Sequence, residues 1–108
     1  MKIAVYCSAK DRIPEEYLAL GDALGTWIAQ AGHTLVYGGA TGGLMTRVSN
    51  AVKAAGGTVE GVIPQRIILA KRMANNCDIL YTVANMNERK QKMKELADCF
   101  VCLPGSYG

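Results

Sequence analysis

The sequence has few of the features that mark nucleic-acid-binding, membrane or secreted proteins. Only 19% of its 108 residues are charged, the net charge is +3, and no basic stripe is interleaved with aromatic side chains, so a nucleic-acid surface is not expected. No apolar run approaches the roughly 20 residues that a membrane-spanning helix needs. No secretory leader is recognisable, because Met1 and Lys2 lead directly into the strand-like stretch Ile3–Tyr6. We therefore expect a cytoplasmic protein that binds neither nucleic acid nor membrane.

Patterns typical of metal and redox sites are also scarce. The single histidine, His33, opens a predicted strand, at the end of the sheet where ligands do not bind. Cys99 and Cys102 have the C-x-x-C spacing of such sites, but they lie in an apolar strand, where residues three apart point to opposite faces. We expect all four cysteines to be small buried hydrophobic residues in a reducing compartment. No metal ion and no cofactor are expected.

What the sequence does have is a regular alternation of apolar strands and amphipathic helices. The apolar runs predict strands at Lys2–Cys7, His33–Tyr37, Thr58–Ile63, Ile79–Val83 and Cys99–Leu103. Helical spacing predicts helices between Pro14 and Gly32, at Leu44–Ala55 and at Met86–Ala97. The stretch Gln65–Asn76 fits either a short helix or a loop over the sheet edge. This order predicts one α/β domain over residues 1–108, built on a Rossmann-like, doubly wound parallel sheet.

The loops that follow the strands hold the unusual residues of the sequence. In a parallel sheet these loops share one edge, and ligands bind there. The expected edge carries Ser8, Gly38–Gly43, Pro64, Asn85–Lys90 and Pro104–Gly108. A strand that ends in Pro104–Gly108 should lead into a helix that covers one face of the sheet. We therefore expect that C-terminal helices are missing from the given chain and that part of the sheet is bare.

The stretch Leu35–Met45 runs from a short strand through four glycines, at positions 38, 39, 42 and 43, into a helix. Bare backbone N–H groups at a helix N-terminus form a general anion site, most often for phosphate. A dinucleotide fingerprint that starts at Gly38 would need glycine in place of Ala40, and no G-K-[ST] sequence follows. An NAD(P)-dependent oxidoreductase is therefore disfavoured.

Two cations, Arg89 and Lys90, lie in the first turn of a predicted helix at the binding edge. The helix dipole disfavours cations at that end, so we favour the interpretation that they face an anion. The alternative is an ordinary solvated face in which Glu88 and Lys92 form an i,i+4 pair. Glu60 lies where a dinucleotide fold keeps its ribose-binding acid, but it falls in the middle of a strand and not at its end.

Three motifs occur in order on these elements: Gly38-Gly39-x-x-Gly42-Gly43-Leu44-Met45, Met86-x-x-Arg89-Lys90 and Pro104-Gly105-x-x-Gly108. With these motifs, and with its opening Val5-Tyr6-Cys7-Ser8, the chain resembles the LOG (Lonely Guy) family over essentially its whole length. The members of that family are cytokinin riboside 5′-monophosphate phosphoribohydrolases.

The resemblance implies a Rossmann-like homodimer that needs no cofactor. It implies hydrolysis of the N-glycosidic bond of a nucleoside 5′-monophosphate, a cytokinin riboside 5′-monophosphate or AMP, to free base and ribose 5-phosphate. Such an enzyme is an N-glycosidase. By the family pattern Arg89 would be the catalytic residue. The substrate-binding residues would be Ser8, Gly38, Gly39, Gly42, Gly43, Met86, Lys90, Gly105, Ser106, Tyr107 and Gly108.

The chain departs from the family pattern in its last motif. Ser106 replaces a glycine, and the sequence ends before the Thr-x-x-Glu whose glutamate is the family's catalytic carboxylate. We therefore expect the 108 residues by themselves to be inactive. The alternative is a non-catalytic, nucleotide-binding Rossmann-like module. A pyridoxal-phosphate decarboxylase is not indicated, because no lysine stands out as a Schiff-base residue.

Overall fold

The computed structural model of the chain describes residues 1–8 and 12–103. Its strands are β1 (Lys2–Tyr6), β2 (Thr34–Tyr37), β3 (Thr58–Pro64), β4 (Ile79–Val83) and β5 (Cys99–Cys102). Its helices are α1 (Glu15–Gln30), α2 (Gly43–Ala54), α3 (Gln65–Leu69) and α4 (Met86–Leu96). The predicted strands are confirmed to within one residue at each end. The stretch after β3 contains both of its expected alternatives, a short helix and then a loop.

The five strands form one parallel sheet in the order β4-β3-β2-β1-β5. From β1 the chain adds strands outward in one direction as far as β4, and β5 then pairs with the other side of β1. The strand order therefore reverses between β1 and β5, which is the point where open α/β sheets bind ligands at their carboxyl ends. The predicted Rossmann-like α/β fold is confirmed.

The two faces of the sheet carry separate apolar cores. In β1, Ile3 and Val5 point towards α1 and α2, whereas Ala4 points to the opposite face. That second face is covered by α4, whose Met93 is buried against the sheet. Burial on both faces explains why the strands are continuous apolar runs and not alternating ones.

Helices α1 and α2 pack closely because two glycines of α1 face α2. A Cβ atom on Gly25 would lie 2.5 Å from the carbonyl oxygen of Val48 and 2.8 Å from the Cβ of Ala51. An ion pair reinforces this contact, since Arg47 Nε donates to Asp22 Oδ1 at 3.0 Å. The position of α2 is thereby fixed, and with it the loop from which α2 starts.

The expectation that all cysteines are buried is wrong for Cys102. Cys7 is buried and Cys77 and Cys99 are half-buried, but Cys102 is exposed, and all four thiols are free. Cys102 and Phe100 lie on the edge strand β5 and point to the same face of the sheet as α4. Helix α4 packs mainly over β3 and leaves these two residues exposed. Phe100 stays 47% exposed and its ring lies 6.0 Å from that of Tyr6. No helix within the described ranges is long and apolar enough to cross a membrane.

Candidate functional site

The glycine loop, residues 38–43, connects β2 to α2 at the carboxyl edge of the sheet. Gly39, Gly42 and Gly43 have φ angles of 70°, 108° and 49°, a region that residues with a Cβ rarely adopt. Gly42 is the N-cap of α2, and its N–H donates to Thr46 Oγ1 at 2.6 Å. The loop therefore ends at the positive end of a helix dipole.

The segment 72–77, which follows α3, pairs with the glycine loop. Thr41 N–H donates to the carbonyl of Arg72, and Ala74 N–H donates to the carbonyl of Gly39, both at 2.8 Å. Arg72 Nη2 also donates to the carbonyl of Thr41 at 2.9 Å. The stretch for which the sequence allowed two structures thus supports the backbone of the predicted phosphate loop.

Ser8 follows β1 and is half-buried beside the start of α2. Its carbonyl accepts the N–H of Met45, the third residue of α2, at 3.3 Å. The structure therefore brings the predicted site residue Ser8 to the helix that the glycine loop opens.

Arg89 is the fourth residue of α4 and is buried at the carboxyl ends of β2 and β3. Its Nε donates to the carbonyl of Val62 at 3.0 Å, its Nη2 donates to the carbonyl of Gly38, and its Nη1 lies 3.6 Å from Met86 Sδ. A Cβ atom on Gly38 would lie 2.5 Å from Nη2. Gly38 thus makes room for the guanidinium, and Arg89, Gly38 and Met86 form one group.

The charge of Arg89 is not neutralised within the described part of the chain. No carboxylate among those residues forms an ion pair with it. Burial lowers the pKa of Arg89, and the charge of nearby Arg66 lowers it further, yet a guanidinium keeps its proton. Burial raises the pKa of the Cys7 thiol to about 12, against the opposing influence of Arg89, so Cys7 is neutral at pH 7. Among the described residues, Arg89 is thus a buried cation without an anionic partner.

The N-terminus of α4 has a side-chain cap that holds Glu88. Asn85 Oδ1 accepts the N–H of Glu88 at 2.9 Å, and Glu88 Oε1 accepts the N–H of Ala84 at 3.1 Å. The suggested pair of Glu88 with Lys92 is therefore wrong, because the carboxylate is turned back to the backbone. Lys92 instead lies 3.9 Å from Glu95.

The remaining predicted site residues are Lys90 and four residues near the end of the chain. Lys90 is exposed at the next position of α4. Four others lie outside the described residues: Gly105, Ser106, Tyr107 and Gly108.

Glu60 and His33 lie away from the carboxyl edge, as expected. Glu60 is buried in β3, where its carboxylate pairs with Lys2 Nζ at 2.9 Å and accepts the Tyr81 hydroxyl at 3.1 Å. His33 Nδ1 lies 3.1 Å from the amino group of Met1, at the amino edge of the sheet. Residues 1–8 and 12–103 contain no group of three or more His, Cys, Asp or Glu side chains that could hold a metal ion.

Sequence reasoning missed two residues in the surroundings of the glycine loop. Arg66 acts electrostatically on Arg89, and its place two residues after the end of β3 is a signal that could have found it. Asn76 links the glycine loop's neighbours, as described below, but nothing in the sequence distinguishes it from an ordinary loop asparagine.

Residues 1–108 match the SLOG cluster4 family. The chain belongs to this family. The resemblance to the LOG family, predicted from three motifs, is confirmed. The chain is 42% identical to the cytokinin riboside 5′-monophosphate phosphoribohydrolase of Mycobacterium marinum, over 98% of the chain and 56% of the relative. It is 37% identical to the enzyme of the same name, LOG, from Oryza sativa subsp. japonica, over 99% of the chain and 44% of the relative. The chain thus spans about half the length of the curated relatives it matches.

Solved structures agree with the fold. The molybdenum cofactor carrier protein MCP of Chlamydomonas reinhardtii is 26% identical and superposes with a TM-score of 0.80, over 99% of this chain and 62% of that one. The molybdenum cofactor binding protein of Rippkaea orientalis, at 23% identity, has a TM-score of 0.78 over 94% of this chain and 61% of that one. The second likeness concerns the fold alone.

Proposed function

We propose that the chain is the nucleotide-binding part of an N-glycosidase. The enzyme would hydrolyse a nucleoside 5′-monophosphate to free base and ribose 5-phosphate. Membership of the family and the names of the relatives support this reaction type. The substrates to compare are AMP and a cytokinin riboside 5′-monophosphate, which differ only in the group on N6 of the base.

One observation carries the proposal: Arg89 is a buried cation next to the glycine loop, and residues 1–8 and 12–103 provide no anion for it. Burying an uncompensated charge costs free energy, and a group held at that cost in a cleft is a candidate for function. Its three nitrogens each make one of the contacts above, so two of the five guanidinium N–H groups have no partner in the described part of the chain and could bind a ligand. An anionic group of the substrate would complete the site.

The chemistry divides between a cation and a carboxylate. In the hydrolysis the C1′–N bond breaks, its electron pair leaves with the base, which takes up a proton, and a water oxygen bonds to C1′. Positive charge develops on the ribose ring, and a carboxylate stabilises such charge. Negative charge develops on the base, and a fixed cation stabilises that. We propose Arg89 for the second role, with the glycine loop and Ser8 at the phosphate. Because Arg89 donates to Gly38, the first residue of the glycine loop, its charge also attracts the phosphate in the bound substrate. The resemblance puts the carboxylate in the part of the family pattern that lies beyond Gly108.

The assembly and the compartment are part of the proposal. The family pattern implies a homodimer. Four free thiols fit a reducing cytoplasm. We also propose that Met86, which contacts Arg89 Nη1, and the exposed Lys90 bind the substrate, together with Gly105, Ser106, Tyr107 and Gly108.

Binding of nucleotides to the 108-residue chain tests the site. Calorimetric titration with AMP, ribose 5-phosphate and adenosine should give binding of the two phosphates and none of adenosine. Arg89→Gln should weaken AMP binding about a hundredfold, because a charged hydrogen-bond donor is lost. Lys94→Gln, which removes the same charge elsewhere on α4, should not change the affinity. Equal binding of adenosine, or an unaffected Arg89→Gln variant, would contradict the proposal.

Release of the base tests the reaction. The chain alone should release no adenine from AMP. A chimera that continues Gly108 with the remaining residues of the Mycobacterium marinum relative should release adenine and ribose 5-phosphate in equal amounts, detected by chromatography. Arg89→Gln in the chimera should abolish release and Lys94→Gln should not. A folded chimera that binds AMP without releasing base would instead support the non-catalytic module.

A further inference from the structure

Four of the six residues of the glycine loop are glycines, which have no side chain with which to hold the shape of the loop. Glycine has the largest conformational freedom of all residues, so ordering such a loop is entropically costly. Three of its glycines adopt positive φ angles. The loop backbone is hydrogen-bonded to residues 72 and 74, and its shape depends further on how firmly the elements on both sides of it are held together.

Asn76 makes hydrogen bonds to both of these elements. Its Oδ1 accepts the hydroxyl of Tyr37, the last residue of β2 and the neighbour of Gly38, at 3.2 Å. Its Nδ2 donates to Ser49 Oγ and to Asn50 Oδ1 on α2, both at 3.0 Å. One amide side chain therefore connects the strand before the loop with the helix after it.

The connection reaches the first turn of α2. Ser49 is buried, and its hydroxyl donates to the carbonyl of Met45 at 2.9 Å. Met45 in turn donates its N–H to the carbonyl of Ser8. The chain of contacts from Asn76 thus ends beside the N–H groups that would face a phosphate.

We infer that Asn76 is a positioning residue, which holds the glycine loop in the shape that binds the phosphate of the substrate without touching it. The inference rests on the proposed phosphate site. A loop that is already ordered loses no conformational entropy on binding. The binding free energy is therefore more favourable by the amount that ordering the loop would have cost. The expected effect of losing Asn76 is a weaker phosphate affinity that exceeds what a general loss of stability would cause.

The test uses the 108-residue chain with ribose 5-phosphate as the probe. Asn76→Ala should raise the dissociation constant, measured by calorimetry, about tenfold. Amide hydrogen exchange, followed by NMR, should become faster at Gly39, Gly42 and Gly43. The matched control is Val52→Ala, which leaves a cavity in the buried part of α2 away from the loop. Even where Val52→Ala lowers the melting temperature as much as Asn76→Ala does, it should leave the dissociation constant and the amide exchange of the loop unchanged.

Each outcome has a defined meaning. A dissociation constant for Asn76→Ala within twofold of that for Val52→Ala would overturn the inference. If the unaltered chain does not bind ribose 5-phosphate, the proposed function fails, and loop exchange alone decides the inference: faster exchange supports it and unchanged exchange overturns it. If Asn76→Ala does not fold, Tyr37→Phe takes its place with the same expectations; it removes the link from Asn76 to β2 together with the contact of the Tyr37 hydroxyl with Cys77 Sγ.

Discussion

Two buried charged residues differ in how the protein satisfies their charge: Glu60 in β3, and Arg89 of α4, which contacts β3 near its carboxyl end. Glu60, near the amino end, is 3% exposed and is neutralised by Lys2, with the Tyr81 hydroxyl as a second partner. Arg89, at the carboxyl end, is 9% exposed, and its hydrogen-bond partners among the described residues are two carbonyls and a thioether. The fold satisfies the first charge completely and the second only through dipoles.

The difference indicates that the charge of Glu60 stabilises the fold, whereas the charge of Arg89 is available to a ligand. A charge that is paired inside the protein adds little further attraction for an anion from solution. A charge that has hydrogen bonds but no counterion keeps its field, and that field is strong because water is excluded. On this argument the carboxyl edge is the place for the proposed substrate site, and the charge at the amino edge serves stability.

The largest expected effect comes from Gly38→Ala. The new Cβ would lie 2.5 Å from Arg89 Nη2 and 2.8 Å from Met45 Cε, the ends of two flexible side chains. The backbone can therefore stay in place while the guanidinium is displaced. AMP affinity, measured by calorimetry, should fall about a hundredfold, the loss expected for a charged hydrogen bond. Circular dichroism should show an intact fold.

Gly57→Ala is the control at the amino edge. Its Cβ would lie 2.7 Å from Val52 Cγ1, 2.8 Å from Ala29 Cβ and 3.2 Å from Ala29 Cα. Because Ala29 cannot turn aside, this substitution is at least as disruptive locally as Gly38→Ala. AMP affinity should not change. If both substitutions weaken binding equally, the special status of the carboxyl edge is refuted.

The substitution Lys2→Met would leave Glu60 as a buried charge without its counterion, which makes it comparable to Arg89. Lys2→Met should lower the free energy of unfolding in urea by about 1–2 kcal/mol, a figure reduced for the partial exposure of Lys2. Adding Glu60→Gln should restore part of that loss, because the uncompensated charge is then gone. AMP affinity should remain unchanged in both variants. A Lys2→Met protein as stable as the parent would mean that the pair contributes nothing.

The sequence allowed prediction of the elements and the binding edge, but not of the contacts that distinguish the two charges. Strand runs and helical spacing are local, so the parallel α/β fold and the position of the glycine loop could be predicted. The pairing of Lys2 with Glu60 and the donation of Arg89 to Gly38 depend on which strands become neighbours. No local pattern contains that information, and for the same reason the role of Asn76 could not be predicted. The exposure of Cys102 follows from the place of β5 at the sheet edge.

A smaller effect on stability is expected for Cys7, a thiol that interacts electrostatically with Arg89 and could serve as its counterion if it were ionised. Its pKa is raised to about 12 from an ordinary value of 9.0, so its contribution to stability is complete below pH 9 and is lost as the pH rises towards 12. The parent should lose about 1 kcal/mol relative to Cys7→Ala between pH 7 and pH 10, measured by urea unfolding. Tyr6 and Lys2, whose pKa values are also raised, affect both proteins alike. The pKa of Tyr37 is raised mainly by burial, and the charge of Cys7 is the last of its causes.

The Cys7 comparison also has an outcome that would contradict the uncompensated charge. If the thiolate paired with Arg89, the pKa of Cys7 would lie below its ordinary value. The parent would then gain stability relative to Cys7→Ala as the pH rises towards 9. That result would place a counterion beside Arg89 within the fold.

The smallest effect is expected for an exposed pair at the amino edge, Asp78 with Lys53, at 2.9 Å. The hydrogen bond from Lys53, and then that from the N–H of Val59, lower the pKa of Asp78. Because the pair is more than a third exposed, Asp78→Asn should cost only about 0.5 kcal/mol at pH 7. The lowered pKa means that the advantage of the parent is present above about pH 4 and is lost as the pH falls further. Urea unfolding at pH 7 and pH 2.5 should therefore show a difference that disappears in acid. A difference as large as that of Lys2→Met would mean that burial does not decide the value of a pair, and the contrast between Glu60 and Arg89 would lose its physical basis.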